Sequence, residues 1–357
     1  MRFEFKDKNM AIKPSEWNIN SPKEILQYAI GGLLYMPGNR TKIAEDIINH
    51  NLKGASSICL DLEDAIGDDV VKHAELCIKD TLRSIYNALH DGTLSINDVP
   101  IIFIRVREPK QIIRMWKLCG TRAFSVVTGF NVPKFDKSNC DAYLEEFNKV
   151  CELNMQSNHR PIYIMPIIES KAVMYKQSRI EQLLYLRDRL DRFSDYVLNV
   201  RVGATDFCSL FGIRRNINSN VYDMKVISDC LSDVVNVFGK NYVCSGPVWE
   251  FFNSEGIPGE WSEGLKKELA MDKLNGFMGK TCIHPSQLKY IQEANIVTYE
   301  QYNDAISILG MSDGLVGVKK GYNNNKMNEV KTHTLWAKKI IGLAGVYGVL
   351  AEENSYV

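Results

Sequence analysis

The sequence predicts an α/β fold, a (β/α)8 or TIM barrel that carries an N-terminal arm and a C-terminal helical extension. Between about Gly32 and Ala294, short apolar runs bounded by turn residues alternate with longer amphipathic segments, which is typical of βα units around a parallel sheet. Eight such runs occur, and eight strands with their helices suit a closed barrel better than an open doubly wound sheet. No Gly-rich nucleotide-binding loop follows any run, which argues against a dinucleotide-binding or P-loop fold.

The eight apolar runs are short enough to be buried strands rather than helices. In chain order they are Leu33–Met36, Ser57–Leu62, Ile101–Val106, Phe124–Val127 or Phe130–Pro133, Ile162–Ile168, Val197–Val202, Tyr242–Ser245 and Gly276–Ile283. The segments between them show the apolar spacing of a helix, most clearly at Val71, Ala74, Ile78, Leu82, Ile85 and Leu89. The two periodicities together predict eight βα units.

The barrel is expected to span residues 31–296, between an arm of residues 1–30 and an extension of residues 297–357. In the arm, Ser21 and Pro22 predict the N-cap and the first position of a short helix. The function of this arm cannot be inferred from its sequence.

The extension is expected to be helical near Tyr299–Ile308 and again from about Glu329 to Leu350. The second helix carries Gly342, Gly345 and Gly348, three residues apart, which leaves a smooth surface along one side. Glycine weakens a helix, so this surface is expected to serve close packing, either on the barrel or on a neighbouring subunit.

The composition predicts a cytoplasmic enzyme with a small-molecule substrate. Lys+Arg and Asp+Glu both number 43, so no net field attracts nucleic acid or an anionic membrane. Nine cysteines without a C-x-x-C pair indicate free thiols in a reducing compartment. The first twenty residues are polar and no later run reaches transmembrane length, which favours the cytoplasm.

Reacting groups in a TIM barrel stand at the C-terminal ends of the strands. Polar residues follow seven of the predicted strands, in the segments 37–40, 61–64, 105–107, 132–134, 168–170, 203–206 and 279–285. Their sequences are PGNR, DLED, RVR, VPK, IES, GATD and GKTCIHP. In this order they resemble the motifs of the citrate lyase β-subunit family within the HpcH/HpaI aldolase superfamily, over roughly residues 32–296.

Two carboxylates at neighbouring strand ends, Glu169 and Asp206, are the predicted metal ligands. Such a pair can hold Mg²⁺, or Mn²⁺ in its place, with water and substrate oxygens completing the coordination. The alternative is that each acid caps the helix that follows its strand. The resemblance favours the metal, because the citrate lyase β-subunit family uses these two positions as ligands.

Arg105 emerges from an apolar strand and either pairs with a barrel carboxylate or grips a substrate carboxylate. The resemblance favours the grip, and so makes Arg105 both a catalytic and a substrate-binding residue. Arg40 is expected to add positive charge for the substrate carboxylate or enolate. Lys134 is predicted to contact the substrate, either at the phosphate or at the adenine of a coenzyme A group.

Three acids, Asp61, Glu63 and Asp64, follow the second strand closely and require cations to remain ionised. Asp61 is assigned to substrate binding. Asp64 is the candidate general base, or else it orients a metal-bound water, since the resemblance places it where pyruvate-type aldolases of the superfamily have a histidine that serves as base.

The resemblance implies a Mg²⁺-dependent carbon–carbon bond lyase that acts on a hydroxy-acid or its acyl-CoA thioester, by retro-aldol or retro-Claisen cleavage or the reverse condensation. Two alternatives stay open: a pyruvate-forming class II aldolase without coenzyme A, and a catalytically silent binding or assembly subunit. Members of the family that it resembles are commonly trimers or hexamers, so a homo-oligomer, a trimer or hexamer, is expected.

Overall fold

The computed structural model describes residues 8–311 and 317–352. Eight parallel strands close into a barrel in which each strand pairs with its neighbours in chain order. The barrel strands, first to eighth, are Gly32–Pro37, Ser57–Asp61, Ile101–Arg105, Val127–Val132, Tyr163–Ile168, Val200–Val202, Cys244–Gly246 and Phe277–Cys282. The prediction of a TIM barrel is therefore confirmed.

Helices follow the strands around the barrel and continue into the C-terminal part of the chain. The α-helices are Lys23–Ala29, Ile43–Ile48, Val71–His90, Pro109–Phe124 (interrupted at Gly120), Cys140–Asn158, Lys176–Asp191, Ala204–Leu210, Lys225–Phe238, Glu260–Leu274, Leu288–Glu293, Tyr299–Gly310 and Val330–Tyr347. The helix predicted from the spacing of Val71 to Leu89 thus lies within one residue of its predicted bounds.

The register of the strands fixes which side chains meet at the C-terminal end of the barrel. Asp61 on the second strand pairs with Arg105 on the third, and Arg105 pairs with Asn131 on the fourth. On the other side, Arg201 on the sixth strand pairs with Ile167 on the fifth and with Ser245 on the seventh. Neighbours in a parallel register point the same way, so the side chains within each set lie at one level of the barrel. Asn131 pairs with Met165, two residues before Ile167, so the two sets lie at different levels of the fifth strand.

Three local predictions need correction. The fourth strand, predicted as Phe124–Val127 or Phe130–Pro133, is Val127–Val132, and Phe124 ends the preceding helix. Ser21 does not cap the first helix, because its hydroxyl accepts the N–H of Asn18 in the preceding turn and Pro22 takes the cap position.

The last helix ends at Tyr347 rather than Leu350. Gly348 has φ 78, a left-handed conformation that glycine adopts readily. A Cβ at Gly348 would lie 2.6 Å from the carbonyl oxygen of Ile12, so both conformation and space favour glycine here. Gly348 therefore acts as a helix terminator, and the three glycines do not form one helical stripe.

The described chain divides at other positions than expected. Residues 18–291 form one compact unit, which contains the barrel. Residues 8–17 belong to a second unit with residues 292–311 and 317–352. In that second unit the strand Met10–Ile12 pairs antiparallel with Val349–Leu350, which explains why the arm of residues 1–30 is not a single piece.

The described residues contain no helix long and apolar enough to cross a membrane. All nine cysteines are free thiols, as predicted, and Cys77 and Cys119 are the two that are partly exposed.

Candidate active site

A cavity of about 390 Å³ opens at the C-terminal end of the barrel. Its lining includes five of the predicted site residues, namely Asp61, Asp64, Arg105, Glu169 and Asp206. The strand ends thus bring together residues that lie up to 145 positions apart, from Asp61 to Asp206. This is the end of the barrel at which TIM-barrel enzymes place their chemistry.

Arg105 and Asp61 form a buried two-pronged ion pair. Arg105 Nε donates to Asp61 Oδ1 at 2.7 Å and Nη2 donates to Oδ2 at 2.6 Å. Asp61 also accepts the backbone N–H groups of Glu63 and Ala65, at 2.9 and 3.2 Å. Of the two roles weighed for Arg105, the structure shows the pairing with a barrel carboxylate. Asp61 therefore holds Arg105, and its oxygens are already in use.

Glu63 is a site residue that the sequence did not single out. Its Oε2 lies 2.9 Å from Arg105 Nη1, and its Oε1 accepts a hydrogen bond from Lys134 Nζ. Burial is the main cause that raises the pKa of Glu63 to about 6, although the charge of Arg105 acts against it. The sequence shows three acids within four residues, which indicates an acidic group near cations. It does not show which of the three side chains contacts the cations.

Asp64 is the more exposed acid of this group. Its Oδ2 lies 3.1 Å from Arg105 Nη1 and its Oδ1 lies 3.4 Å from Lys134 Nζ. Burial acts to raise the pKa of Asp64, but the hydrogen bond with Glu63 and the charge of Arg105 outweigh it, so the pKa lies below its usual range. Asp64 therefore carries a negative charge at the cavity wall at neutral pH.

Lys134 links the acidic group to Glu169. Its backbone is left-handed, with φ 48, and its N–H donates to Glu169 Oε1 at 2.9 Å. Its ammonium group contacts Glu63 and Asp64. Lys134 is therefore committed to the acids of this site, and the structure gives no support to its expected contact with a phosphate or adenine.

Glu169 directly follows the fifth strand, and Asp206 lies in the first turn of the helix Ala204–Leu210, which follows the sixth strand. Glu169 is only 5% exposed, and burial together with the charge of Asp206 raises its pKa to about 8. Burial likewise raises the pKa of Asp206, with the charge of Asp64 as the next cause. A buried acid beside a partly buried one, whose charge disfavours ionisation of the first, forms a pair that a cation would stabilise.

The pair suits a small hard cation such as Mg²⁺, which binds few protein carboxylates and completes its shell with water and substrate. Among the described residues, no group of three or more His, Cys, Asp or Glu side chains is placed to hold one metal ion. Water and substrate would therefore supply most of the ligands at this pair. The capping alternative does not describe Glu169, because Ser170 caps the following turn and Glu169 accepts the N–H of Lys134 instead. Asp206 does lie in the first turn of the helix Ala204–Leu210, where it accepts a backbone N–H, as that alternative expects.

Gly203 is required by the position of Glu169. A Cβ at Gly203 would lie 2.1 Å from Glu169 Oε2 and 2.6 Å from Glu169 Cβ.

We expect Gly203→Ala to lower the free energy of unfolding by about 1–3 kcal/mol, the cost of overpacking a filled site. Urea unfolding measures this loss. Gly345→Ala is the matched control, because a Cβ there meets nothing within 4 Å and helical alanine is favoured by roughly 0.5–1 kcal/mol. Equal effects of the two substitutions would contradict this assignment.

Arg40 is not brought to the cavity. It pairs with Asp46 of the following helix and contacts Met36 Sδ at 3.6 Å, and it is absent from the cavity lining. The helix Ile43–Ile48 supplies this nearer carboxylate, which the sequence reasoning did not consider. The expected role of Arg40 in substrate binding has no structural support.

A second buried ionic network lies behind the cavity wall. Arg215 Nη1 donates to Glu268 Oε2 at 2.5 Å, and Lys280 Nζ lies 2.9 Å from Glu268 Oε1 and 2.6 Å from Asp272 Oδ2. Arg215 also donates to the carbonyl oxygen of Val248, which lines the cavity. The network thus holds one wall of the cavity in place. The four-residue spacing of Glu268 and Asp272 was the available sequence signal.

Comparison with known proteins identifies the family and the fold. The profile of one protein family, described as C-C bond lyases of the TIM-barrel fold, matches residues 24–349. A search of curated protein sequences finds no match.

Two solved structures show the same fold at low sequence identity. CitE from Mycobacterium tuberculosis, in complex with magnesium, acetoacetate and coenzyme A, has a TM-score of 0.56 at 16% identity, over 89% of this chain and 99% of that one. Malate synthase from Haloferax volcanii, as a magnesium and glyoxylate complex, has a TM-score of 0.55 at 12% identity, over 74% of each chain.

Proposed function

We propose that this chain, which belongs to the family of C-C bond lyases of the TIM-barrel fold, uses Mg²⁺ to cleave a hydroxy-acid or its acyl-CoA thioester, or to run the reverse condensation. The observation that carries the proposal is the meeting of Glu169, Asp206 and Arg105 around one cavity. The magnesium complexes of CitE and of malate synthase support the same choice of metal. Formation of a trimer or hexamer stays a prediction.

Glu169 and Asp206 would hold the metal, which when bound supplies a Lewis acid that polarises a substrate oxygen. Arg105 supplies fixed positive charge beside it. A guanidinium has five N–H donors, and the described contacts of Arg105 use Nε, both hydrogens of Nη1 and one of Nη2. The remaining Nη2 hydrogen is the one that Arg105 can offer to a substrate oxygen.

Asp64 is the residue we assign to proton transfer, because it is ionised, half-exposed and lines the cavity. In the cleavage direction its carboxylate takes the proton of the substrate hydroxyl, whose O–H electrons form the new carbonyl. The electrons of the breaking carbon–carbon bond pass to the leaving enolate. Arg105 and Lys134 stabilise this enolate by their charge, and the proton on Asp64 returns to it.

The test is a Mg²⁺-dependent condensation assay. The protein is incubated with acetyl-CoA or propionyl-CoA and with glyoxylate, pyruvate or oxaloacetate, and products are followed by mass spectrometry. We expect consumption of one thioester and one keto-acid together, lost on removal of Mg²⁺ and in Asp64→Asn. Aldol products from pyruvate and an aldehyde without a thioester would favour the class II aldolase. No turnover with any pair would contradict the proposed substrate class.

The pH dependence of Mg²⁺ stabilisation is a second expected result. The folded pKa of Glu169, about 8, lies above its unfolded value. Its protonated form therefore stabilises the metal-free fold at low pH, and this contribution is lost as the pH rises through about 8. Mg²⁺ requires the ionised form of Glu169, so the affinity of the site for Mg²⁺ should rise over the same pH range.

We expect Mg²⁺ to raise Tm more at about pH 9 than at about pH 6. An equal rise at both values would contradict the assignment of Glu169.

A further inference from the structure

We propose that Arg201 and Thr281 form an anion-recognition pair, which receives a second acidic group of the substrate in this cavity and so selects a dianionic keto-acid. The inference rests on the proposed function, since it places the first acidic group and the keto oxygen beside Glu169, Asp206 and Arg105. Neither Arg201 nor Thr281 takes part in the metal binding or the proton transfer assigned above.

Arg201 is a fully buried cation with most of its donors unused. It lies on the sixth barrel strand at 0% exposure, and its Nη2 donates to Thr281 Oγ1 at 2.9 Å. Its Nε and Nη1 have no hydrogen-bond partner among the described residues. Within the described chain, no carboxylate lies within salt-bridge distance of Arg201. A buried guanidinium without a carboxylate partner leaves its positive charge uncompensated, and a nearby anion would offset that charge.

The other buried arginines of the barrel unit show what a satisfied guanidinium looks like here. The three that are at most 7% exposed each donate to a carboxylate: Arg105 to Asp61, Arg179 to Asp233 and Arg215 to Glu268. Arg160, which has no carboxylate partner, donates to three backbone carbonyl groups instead. Arg201 has neither kind of partner, and its single described acceptor is a hydroxyl that lines the cavity.

Thr281 connects Arg201 to the cavity. A threonine hydroxyl has two lone pairs and one proton, and Arg201 occupies a lone pair. The proton is therefore left to donate, and the charged donor behind it makes the hydroxyl a stronger donor. A carboxylate oxygen in the cavity is the acceptor that suits it. Thr281 is the residue that touches the ligand, and Arg201 acts through it as a positioning residue.

The order of the strands suggests how such a substrate would lie. Around the barrel, Arg105 stands on the third strand, Glu169 and Asp206 follow the fifth and sixth, and Thr281 stands on the eighth. Arg105 and Lys134 supply positive charge on one side of the two acids. Arg201 lies on the sixth strand itself, and its contact with Thr281 carries its influence to the eighth strand, on the other side of the two acids. A molecule with an acidic group at each end can therefore use both sides, with its keto oxygen between them.

The test compares two keto-acids of equal length, oxaloacetate and 2-oxobutanoate, in which a methyl group replaces the second carboxylate. Their dissociation constants are measured by calorimetry with saturating Mg²⁺, for the unaltered protein, Thr281→Val and Thr281→Ser. We expect the unaltered protein and Thr281→Ser to prefer oxaloacetate by roughly tenfold or more, the worth of one charge-assisted hydrogen bond. In Thr281→Val this preference should fall to about twofold or less, while 2-oxobutanoate binds as before.

Thr128→Val is the matched control. Thr128 is a buried threonine of the fourth strand whose hydroxyl has no described partner, and it does not line the cavity. Its substitution should leave the preference unchanged. Arg201→Lys is a second test variant. A lower preference for oxaloacetate with unchanged binding of 2-oxobutanoate would show that Arg201 positions Thr281 and that the substitution has not disturbed the fold.

The outcomes are distinct. Mg²⁺-dependent binding of both acids with the same preference in Thr281→Val as in the unaltered protein would overturn this inference and leave the proposed function standing. Absence of Mg²⁺-dependent binding of either acid to the unaltered protein would overturn both.

Discussion

Replacing Arg105 by methionine is expected to lower the free energy of unfolding by about 3–5 kcal/mol, the range found when one partner of a buried ion pair is removed. Asp61 is 1% exposed, and both of its oxygens accept from Arg105. Glu63 and Asp64 would lose the same cation. Chemical denaturation at neutral pH measures the loss. The loss of stability in Arg105→Lys should be smaller than that in Arg105→Met but larger than zero, because a lysine keeps the charge but cannot form the two-pronged pair.

The control for this substitution is Arg83→Met. Arg83 pairs with Asp80 on the surface, and both side chains are 61% exposed. Surface pairs of this kind contribute about 0–1 kcal/mol, so Arg83→Met should be nearly silent. A similar small loss for Arg105→Met would show that the acids of the site do not depend on Arg105 for their charge balance.

Replacing Glu169 by glutamine is expected to separate metal binding from folding. The pKa of Glu169 is raised to about 8 by burial and by Asp206, so a neutral amide should fold at least as well as the carboxyl in the absence of metal. The amide oxygen can still accept the N–H of Lys134. Mg²⁺ affinity should fall by more than the roughly 10–100-fold typical of residues that only support a ligand.

The measurement is the rise in Tm on adding Mg²⁺, recorded for both proteins at one pH. Glu181→Gln is the matched control, since Glu181 is an exposed partner of Lys137 with a side chain 75% exposed. It should keep the full Mg²⁺ effect. Retention of that effect in Glu169→Gln would remove Glu169 from the metal site, while loss of the fold would show that its carboxyl has a structural role.

The barrel could be predicted because its strands are continuous apolar runs. Ile101–Arg105 is buried at every position, and so is Tyr163–Ile168, so their pattern has no polar interruption before the strand end. The fourth strand was ambiguous because Thr128 and Gly129 interrupt the apolar run. Both residues are buried inside the strand, where Gly129 lets the backbone of Tyr163 approach.

The sequence could predict which residues lie near the site, because strand ends determine their positions, but it could not predict how their side chains pair. Asp61, Asp64, Arg105, Glu169 and Asp206 were found because each follows an apolar run at the end where barrels place their chemistry. The sequence could not show which acid pairs with which cation, because that depends on side-chain directions in three dimensions. Arg105 was assigned to the substrate, and the sequence did not show that most of its donors are taken by Asp61, Glu63 and Asp64.

Arg40 and Arg201 are two further arginines whose partners the sequence could not show. Arg40 follows a strand end and was assigned to the site, yet Asp46, six positions on, is its partner. Arg201 was passed over because it lies within the apolar run Val197–Val202 and read as part of a buried strand. Only the structure shows that this buried strand carries an unpaired cation next to a cavity residue.

A calorimetric titration of Mg²⁺, with and without oxaloacetate, tests the central claim most directly. It compares the unaltered protein with Asp206→Asn. If Glu169 and Asp206 hold a metal that a keto-acid shares, oxaloacetate will tighten Mg²⁺ binding to the unaltered protein, Mg²⁺ will tighten oxaloacetate binding by the same factor, and Asp206→Asn will lose both effects. If Mg²⁺ fails to bind the unaltered protein in either condition, or binds Asp206→Asn equally well, the metal site does not lie where we place it.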